Sequence, residues 1–285
     1  MLSAFHINWT RPFFARTPDR PYAVEPFELL TTALSALSWQ KTNGSIRMIC
    51  DSTAKRYYDA LGFSFLWDGG VHPLLDAMPE DVNPIAFWAA SKLYALSAMP
   101  APCVMIDTDF IVWKPLAPLL RGLDAAAVHT EDIMPDIYPG PEAFSQTRGF
   151  DFSVFDWTVR PYNTALAYFG SDAFRRHYTD TAIRFIRASA AADDVLTYMV
   201  FAEQRLLAMC AARERVHAAA LSDLAALFSG GQQGYFTHIW GFKQQMRDEP
   251  LLYEDFCCRC AARLRRDFPE AAERLAGAPP LSPYF

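Results

Sequence analysis

Several features are missing from this chain of 285 residues, and each absence removes a class of function. No apolar run approaches the roughly 20 residues that a membrane-spanning helix needs, so no membrane span is expected. The opening stretch, "MLSAFHINWTRPFF", has neither the basic start nor the long apolar segment of a secretory leader. Basic charge is not in excess: 26 lysines and arginines face 32 aspartates and glutamates, a formal net charge of -6. Proteins that grip a nucleic-acid backbone carry a basic footprint, so nucleic acid is not an expected partner. A small anion held through a metal remains possible, because the metal then supplies the positive charge. Two separate cysteine pairs at zinc-site spacing are also lacking. Cys50, Cys103 and Cys210 stand in apolar contexts and read as reduced, buried thiols. Cys257, Cys258 and Cys260 crowd together in "CCRC" without a distant matching pair, and what they bind, if anything, stays open. These readings point to a cytoplasmic protein.

What the chain does have is material for a core, with 52% hydrophobic and 14% aromatic residues. No internal repeat, low-complexity tract or linker divides it, so a single domain over 1–285 is expected. Residues 2–8 and the run 45–51 read as strands, and "PFELLTTALSALSWQK" (26–41) as a helix stopped by Asn43-Gly44. A helix follows from residue 52, with Ser52 or Thr53 as its N-cap. Helix 84–99 leads into a strand at 103–107, and a further strand is expected within 123–132. A loop rich in proline, glycine and aromatics covers 134–160, and "YNTALAYFG" (162–170) is a buried strand. Helices are expected at 172–188 and 193–213, the second capped by Asp193 and Asp194, then a short strand in "RVHAAAL". From Ser222 onward the chain reads as irregular, with a polar, charged tail over 251–285. The alternation of strands and helices implies an α/β fold with a mostly parallel sheet.

Within that rhythm, "CVMIDTDFIVWKPL" carries two aspartates, Asp107 and Asp109, at the end of an apolar strand. Residues i and i+2 of a strand point the same way, so the pair is expected to share a side. At the carboxyl end of a parallel strand they face the crevice where α/β folds bind ligands. Two hard oxygen donors there suit Mg²⁺ or Mn²⁺, with a substrate diphosphate completing the coordination. The plain alternative is one aspartate capping a turn and the other in a surface ion pair.

The segment resembles the D-x-D stretch of nucleotide-sugar-dependent glycosyltransferases with the GT-A fold, and three later stretches resemble the same family in order. "YNTALAYF" is similar to its N-[TS]-G/A strand, which implies roles for Asn163 and Thr164 at the sugar or acceptor, with Ala165 where glycine is usual. "AEQRLLAM" resembles its [DE]-Q pair, which implies Glu203 and Gln204 as catalytic residues. "THIWGFKQ" resembles the H-x-x-G-x-K stretch of glycogenin-type and related bacterial galactosyltransferases, although the K-P-W ending is absent. That likeness implies His238 as third metal ligand, with Gly241 and Lys243 meeting the diphosphate. Lys92, on the helix before the D-x-D, would approach the nucleotide sugar. The resemblance implies a GT-A-like mixed sheet flanked by helices. It also implies a nucleotide-sugar half over about 1–130 and an acceptor half with a closing loop over about 131–250. The implied reaction is transfer from a nucleotide-sugar donor, a UDP-sugar first, to a saccharide or other hydroxyl acceptor with Mn²⁺ or Mg²⁺.

Other readings of these residues stay open. His238 taken alone reads more readily as a half-buried, hydrogen-bonded histidine, Lys243 also as a solvated lysine, and Glu203 also as a partner of Arg205 or another helix-face charge. Asp51, at a strand end, contacts a base or ribose or else caps a helix. Trp157 or Tyr162 could form a sugar platform. The glycines of "SGGQQGYFTHIWGFK" (229–243) suggest a loop that orders over a bound donor, while Tyr235, Phe236 and Trp240 suggest a permanently packed connection. At the level of activity, a HAD-like phosphatase and a non-catalytic nucleotide-sugar-binding protein compete with the transferase.

Overall fold

Apolar runs separated by amphipathic segments fold into a sheet covered on both faces. The structure is a computed structural model that describes residues 1–190, 194–230 and 234–285. In the first half, β1 (Ala4–Asn8), α1 (Arg11–Arg16), α2 (Pro26–Thr42), β2 (Ile46–Cys50), α3 (Ser52–Ala60), β3 (Val71–His72), α4 (Ala90–Ala98) and β4 (Cys103–Ile106) follow in order. Next come β5 (Phe110–Val112), β6 (Ala125–Ala127), β7 (Leu166–Phe169), α5 (Asp172–Ala188) and α6 (Thr197–Val200), then a π-helical turn (Phe201–Arg205) and α7 (Leu206–Glu214). The chain finishes with β8 (Ala218–Ala220), α8 (Leu224–Phe228), β9 (Phe236–His238), α9 (Phe242–Asp248), α10 (Pro250–Asp267) and α11 (Pro269–Ala276).

Seven strands form one sheet in the order β3-β2-β1-β4-β7-β6-β8, in which β7 alone runs against the rest. β4 and β7, at the centre of the sheet, are apolar throughout because both faces are buried. In β4, Val104 and Ile106 join the core under α2 and α10, whereas Cys103 and Met105 join the core under α4, α5 and α7. β7 divides its side chains in the same way, Leu166 and Tyr168 against Ala167 and Phe169. Each large apolar side chain buried in these two layers stabilises the fold by about 1.5–3 kcal/mol.

The Asn43-Gly44 stop of α2 is real. Gly44 has φ +148, and a Cβ there would stand 2.5 Å from the Leu2 carbonyl oxygen. Other boundaries need correcting. The cap of α3 is Asp51, whose Oδ1 accepts from Ala54 N at 2.8 Å, and not Ser52 or Thr53. α4 starts only at Ala90, because Asn83 Oδ1 draws Ile85 N and Ala86 N into turns first. Asp194 Oδ1 accepts from Leu196 N (2.9 Å) and Tyr198 N (3.3 Å), as a cap would, while Asp193 lies outside the described residues. The segment after Ser222 is largely helical. α10 lays Cys257, Cys260, Ala261 and Leu264 into the core beside α2, and the charges that suggested a tail face water. Cys257 and Cys260 are buried, Cys258 is exposed, and all six cysteines are free thiols.

Candidate functional site

Asp107 and Asp109 are not in a strand. β4 ends at Ile106 and β5 begins at Phe110, and the aspartates occupy the turn between, where Phe110 N donates to the Asp107 carbonyl at 3.0 Å. A turn, not the pleat of a strand, brings them together. Asp107 N donates to the Ala165 carbonyl (2.7 Å), which ties the turn to the start of β7. β5 pairs antiparallel with β9, so Phe110 faces His238, and Ile239 N donates to the Asp109 carbonyl at 3.3 Å. That pairing delivers a histidine from far along the chain to the aspartates. One ligand atom from each of Asp107, Asp109 and His238 lies within 4.8 Å of the others.

Two lysines offset part of the charge of this acidic cluster. Lys92 Nζ lies 2.6 Å from Asp107 Oδ1 and 2.8 Å from Glu203 Oε1. Lys243 Nζ lies 3.0 Å from Asp109 Oδ2 and 3.4 Å from Glu28 Oε1. Burial, offset in part by Lys92 and reinforced by the charges of Asp109 and Glu203, pushes Asp107 up to about 6. Burial opposes ionisation of Asp109 as well, but Lys243 and His238 outweigh it and hold that carboxyl below its usual range. The imidazole of His238 is lowered to about 4 by burial, against the pull of Asp109, so it is neutral near pH 7. A neutral imidazole beside two carboxylates is the donor set that Mn²⁺ or Mg²⁺ needs, with nitrogen suiting Mn²⁺ better.

The π-helical turn sets the second layer. Leu206 N reaches back five residues to the Phe201 carbonyl, which widens the helix by one residue and re-aims three side chains. Glu203, 2% exposed, points to Lys92 and accepts from Thr164 Oγ1 at 2.5 Å. Its carbonyl accepts from Tyr178 OH at 2.6 Å. Gln204 Oε1 accepts from Tyr138 OH at 2.6 Å. Arg205 turns away and donates to the Trp157 carbonyl (2.6 Å), so it is not the partner of Glu203.

The remaining expected residues have mixed placements. Thr164 is at the centre, on Glu203. Asn163 sits beside it but spends its amide on Glu131 Oε1 and on Ala165 N, both at 3.1 Å. Asp51 Oδ2 accepts from Thr10 N and Oγ1 (2.6 and 2.8 Å), so its carboxylate is held within the fold at the edge of the crevice. Gly241 has open space where a Cβ would be, and its φ of -71 makes no demand for glycine. Trp157 stacks on Phe201 (5.5 Å, 17°) under the Arg205 guanidinium, which makes it packing and not a sugar platform. Tyr162 packs against the core formed with α4, α5 and α7. Gly231, Gln232 and Gln233 of the expected closing loop lie outside the described residues. From Phe236 on, that segment is already held by the β5 ladder, by the burial of Phe236 and by Trp240 stacked on His238 (6.0 Å, 13°), so the packed connection prevails there. Glu28, Glu131 and Tyr138 were missed. Glu28, a lone charge in the apolar stretch of α2, was the most visible of the three.

No family model matches the chain, and no curated protein matches it. Among solved structures it is similar to the bifunctional glycosyltransferase WbbM, at 12% identity and TM-score 0.50, over 99% of this chain and 51% of that one. The chain therefore spans about half the length of WbbM. Weaker likenesses are an active-site mutant of LgtC (12% identity, TM-score 0.38, 77% and 72% covered) and mouse xyloside xylosyltransferase 1 (8%, 0.39, 78% and 85%). The mostly parallel seven-stranded sheet flanked by helices is the fold of the GT-A glycosyltransferases.

Proposed function

We infer that this chain, which has the GT-A glycosyltransferase fold, is a metal-dependent glycosyltransferase. It moves a sugar from a nucleotide diphosphate sugar, a UDP-sugar first, to a hydroxyl of a saccharide or other acceptor. The observation that carries this reading is the convergence of Asp107, Asp109 and His238 within 4.8 Å at the mouth of β4, with the Lys243 ammonium 3.0 Å from Asp109. Asp107, Asp109 and His238 would hold a divalent ion there, and its chemistry would be to offset the negative charge of a departing nucleoside diphosphate.

The chain's own groups do the rest. Lys243 offers a second cation for a diphosphate oxygen, and the open space over Gly241 lets backbone approach the same group. Asp51 and Thr10 shape the crevice edge on the base and ribose side. Lys92 and Thr164 both bond to Glu203 Oε1, which fixes the orientation of the carboxylate. So held, Glu203 acts as a fixed negative charge facing the positive anomeric centre that develops during transfer. Gln204, its carbonyl taken by Tyr138, has its NH₂ to donate to a sugar hydroxyl. Asn163 and Glu131 brace the start of β7 beneath them. Residues 1–285 form one domain in this reading, with the donor half over about 1–130 and the acceptor half over about 131–250. Among the described residues no helix is long and apolar enough to cross a membrane. The free thiols support a cytoplasmic setting.

Thermal-shift titration tests the reading. UDP or GDP should raise the melting temperature with Mn²⁺ and not with a chelator, and Asp109→Ala should abolish that response while keeping the fold. Metal-dependent nucleotide binding by the variant would overturn the ligand assignment. Mass-spectrometric screening of a donor panel then measures turnover, and binding without turnover of any donor would reduce the chain to a nucleotide-sugar-binding protein.

A further inference from the structure

A cleft of about 1100 Å³ opens on the outer side of α5 and shares no residue with the site above. The inner face of α5 buries Phe174, Tyr178, Ala182 and Phe185, and Tyr178 reaches through to the Glu203 carbonyl. The outer face turns His177, Asp180, Arg184 and Arg187 into the cleft at steps of three and four residues. Arg148, from the loop before β7, and Arg213, from the end of α7, complete the lining. Four guanidiniums thus face two carboxylates, Asp151 and Asp180, in a chain of net charge -6.

Among the described residues the arginines of this cleft have few internal partners, and Glu214 stands 3.5 Å from His177 Nε2 at its margin. Asp151 Oδ1 is engaged with Ser153 N and Oγ (3.0 and 2.6 Å). Among the described residues Arg184 reaches only Thr181 Oγ1 at 3.2 Å, and Arg213 Nε stands 3.9 Å from Glu214 Oε1, too far for a hydrogen bond. Arg148 and Arg187 make no ion pair among the described residues. Elsewhere the chain pairs arginines readily, as Arg160 with Asp132, Arg175 with Asp172 and Arg247 with Glu25. Like charges gathered in a concave site repel one another and focus a positive potential that an anion relieves. The wall beside them is apolar, with Phe155 buried and Arg213 lying 5.9 Å over its ring.

We propose that this cleft binds a small phosphorylated ligand. The arginine forks grip the phosphate through paired N–H donors, and the body of the ligand rests on the Phe150 and Phe155 wall. A concave cleft fits a discrete molecule better than the flat surface of a bilayer. The proposal is independent of the transfer reading.

Inorganic pyrophosphate, titrated calorimetrically in the presence of a metal chelator, is the probe. Saturable one-to-one binding that weakens with added salt is expected. The double variant Arg184→Gln/Arg187→Gln should weaken it by about tenfold or more, since two charged donors are lost. Both arginines are exposed, so an unchanged melting temperature will show that the double variant is folded. Asp109→Ala should leave pyrophosphate binding as it was, which separates this site from the metal triad. Absence of binding, or binding that the double variant retains, overturns the proposal. Vesicles containing phosphatidylglycerol form a parallel arm, and arginine-dependent capture by vesicles without pyrophosphate binding would overturn it in favour of a lipid headgroup.

Discussion

Lys92 holds two carboxylates that would otherwise repel each other across the crevice, Asp107 at 2.6 Å and Glu203 at 2.8 Å. Removing it leaves one fully buried and one partly buried acid without a cation, and only Thr164 still donating to Glu203. Lys92→Met should therefore lower stability by about 3 kcal/mol, the low end for a broken buried pair because Asp107 still meets water. Urea denaturation checks this, and a loss under about 1 kcal/mol would mean that water already screens the cluster. Glu203→Gln keeps the shape but removes the charge, so turnover should fall on the order of 10²-fold with donor affinity nearly unchanged. Wild-type turnover in that variant would leave Glu203 a structural residue. His6 makes a pH prediction outside the triad. It is fully buried, accepts from Trp67 Nε1 at Nδ1 (3.2 Å) and contacts Ser35 Oγ at 3.0 Å through Nε2. Burial lowers it to about 3, with Asp109 opposing in part. The unfolded chain takes up a proton near 6.5 and the folded chain does not until about 3. Stability from this group is thus complete above 6.5 and is lost as pH falls, by up to about 1.4 kcal/mol per pH unit. The denaturation free energy of His6→Gln should fall less steeply than that of the wild type between about pH 6 and 4. Parallel slopes would show that His6 is protonated inside the fold.

At the scale of elements, the helix that looked like a tail is part of the core. α10 buries Leu264 completely beside α2, the helix whose Glu28 holds Lys243. Leu264→Ala should cost about 2–5 kcal/mol, as for other deletions of a buried leucine, and a change within about 0.5 kcal/mol would restore the tail reading. β9 carries a second expectation. Its ladder with β5 and the buried Phe236 hold His238 in place without ligand. Amide exchange across 236–238 should therefore be slow in the free protein and change little on adding Mn²⁺ and nucleoside diphosphate. Fast exchange that slows only with both present would revive a closing loop.

For the whole molecule, ligand binding and stability are linked. A nucleoside diphosphate and Mn²⁺ at about 100 times their joint dissociation constant should stabilise the fold by about 2.7 kcal/mol. Because the triad draws on β4, β5 and β9 together, that gain should appear in one cooperative transition. Two separate melting steps, of which the ligand shifts only one, would show that the donor half unfolds apart from the rest.

The amino-acid sequence by itself determined the sheet and most of its helices. The apolar runs at 46–50, 103–106 and 166–169 had to be buried strands, and α5 matches its expected span of 172–188, because periodicity and caps are local properties. It also placed Asp107 and Asp109 at a strand end, and four resemblances in the right order pointed to His238, Glu203 and Lys243. Contacts between distant segments were decided only in the folded chain. A turn and not a pleat converges the aspartates, a π-helical turn aims Glu203 at Lys92 and Thr164, and Arg205 is drawn off to the Trp157 carbonyl. The charged face of α10 hid its buried stripe, and Asn163 and Asp51 turned inward to satisfy backbone groups. In each case one polar group had several partners in reach of its own sequence neighbourhood, and burial by segments far along the chain selected among them.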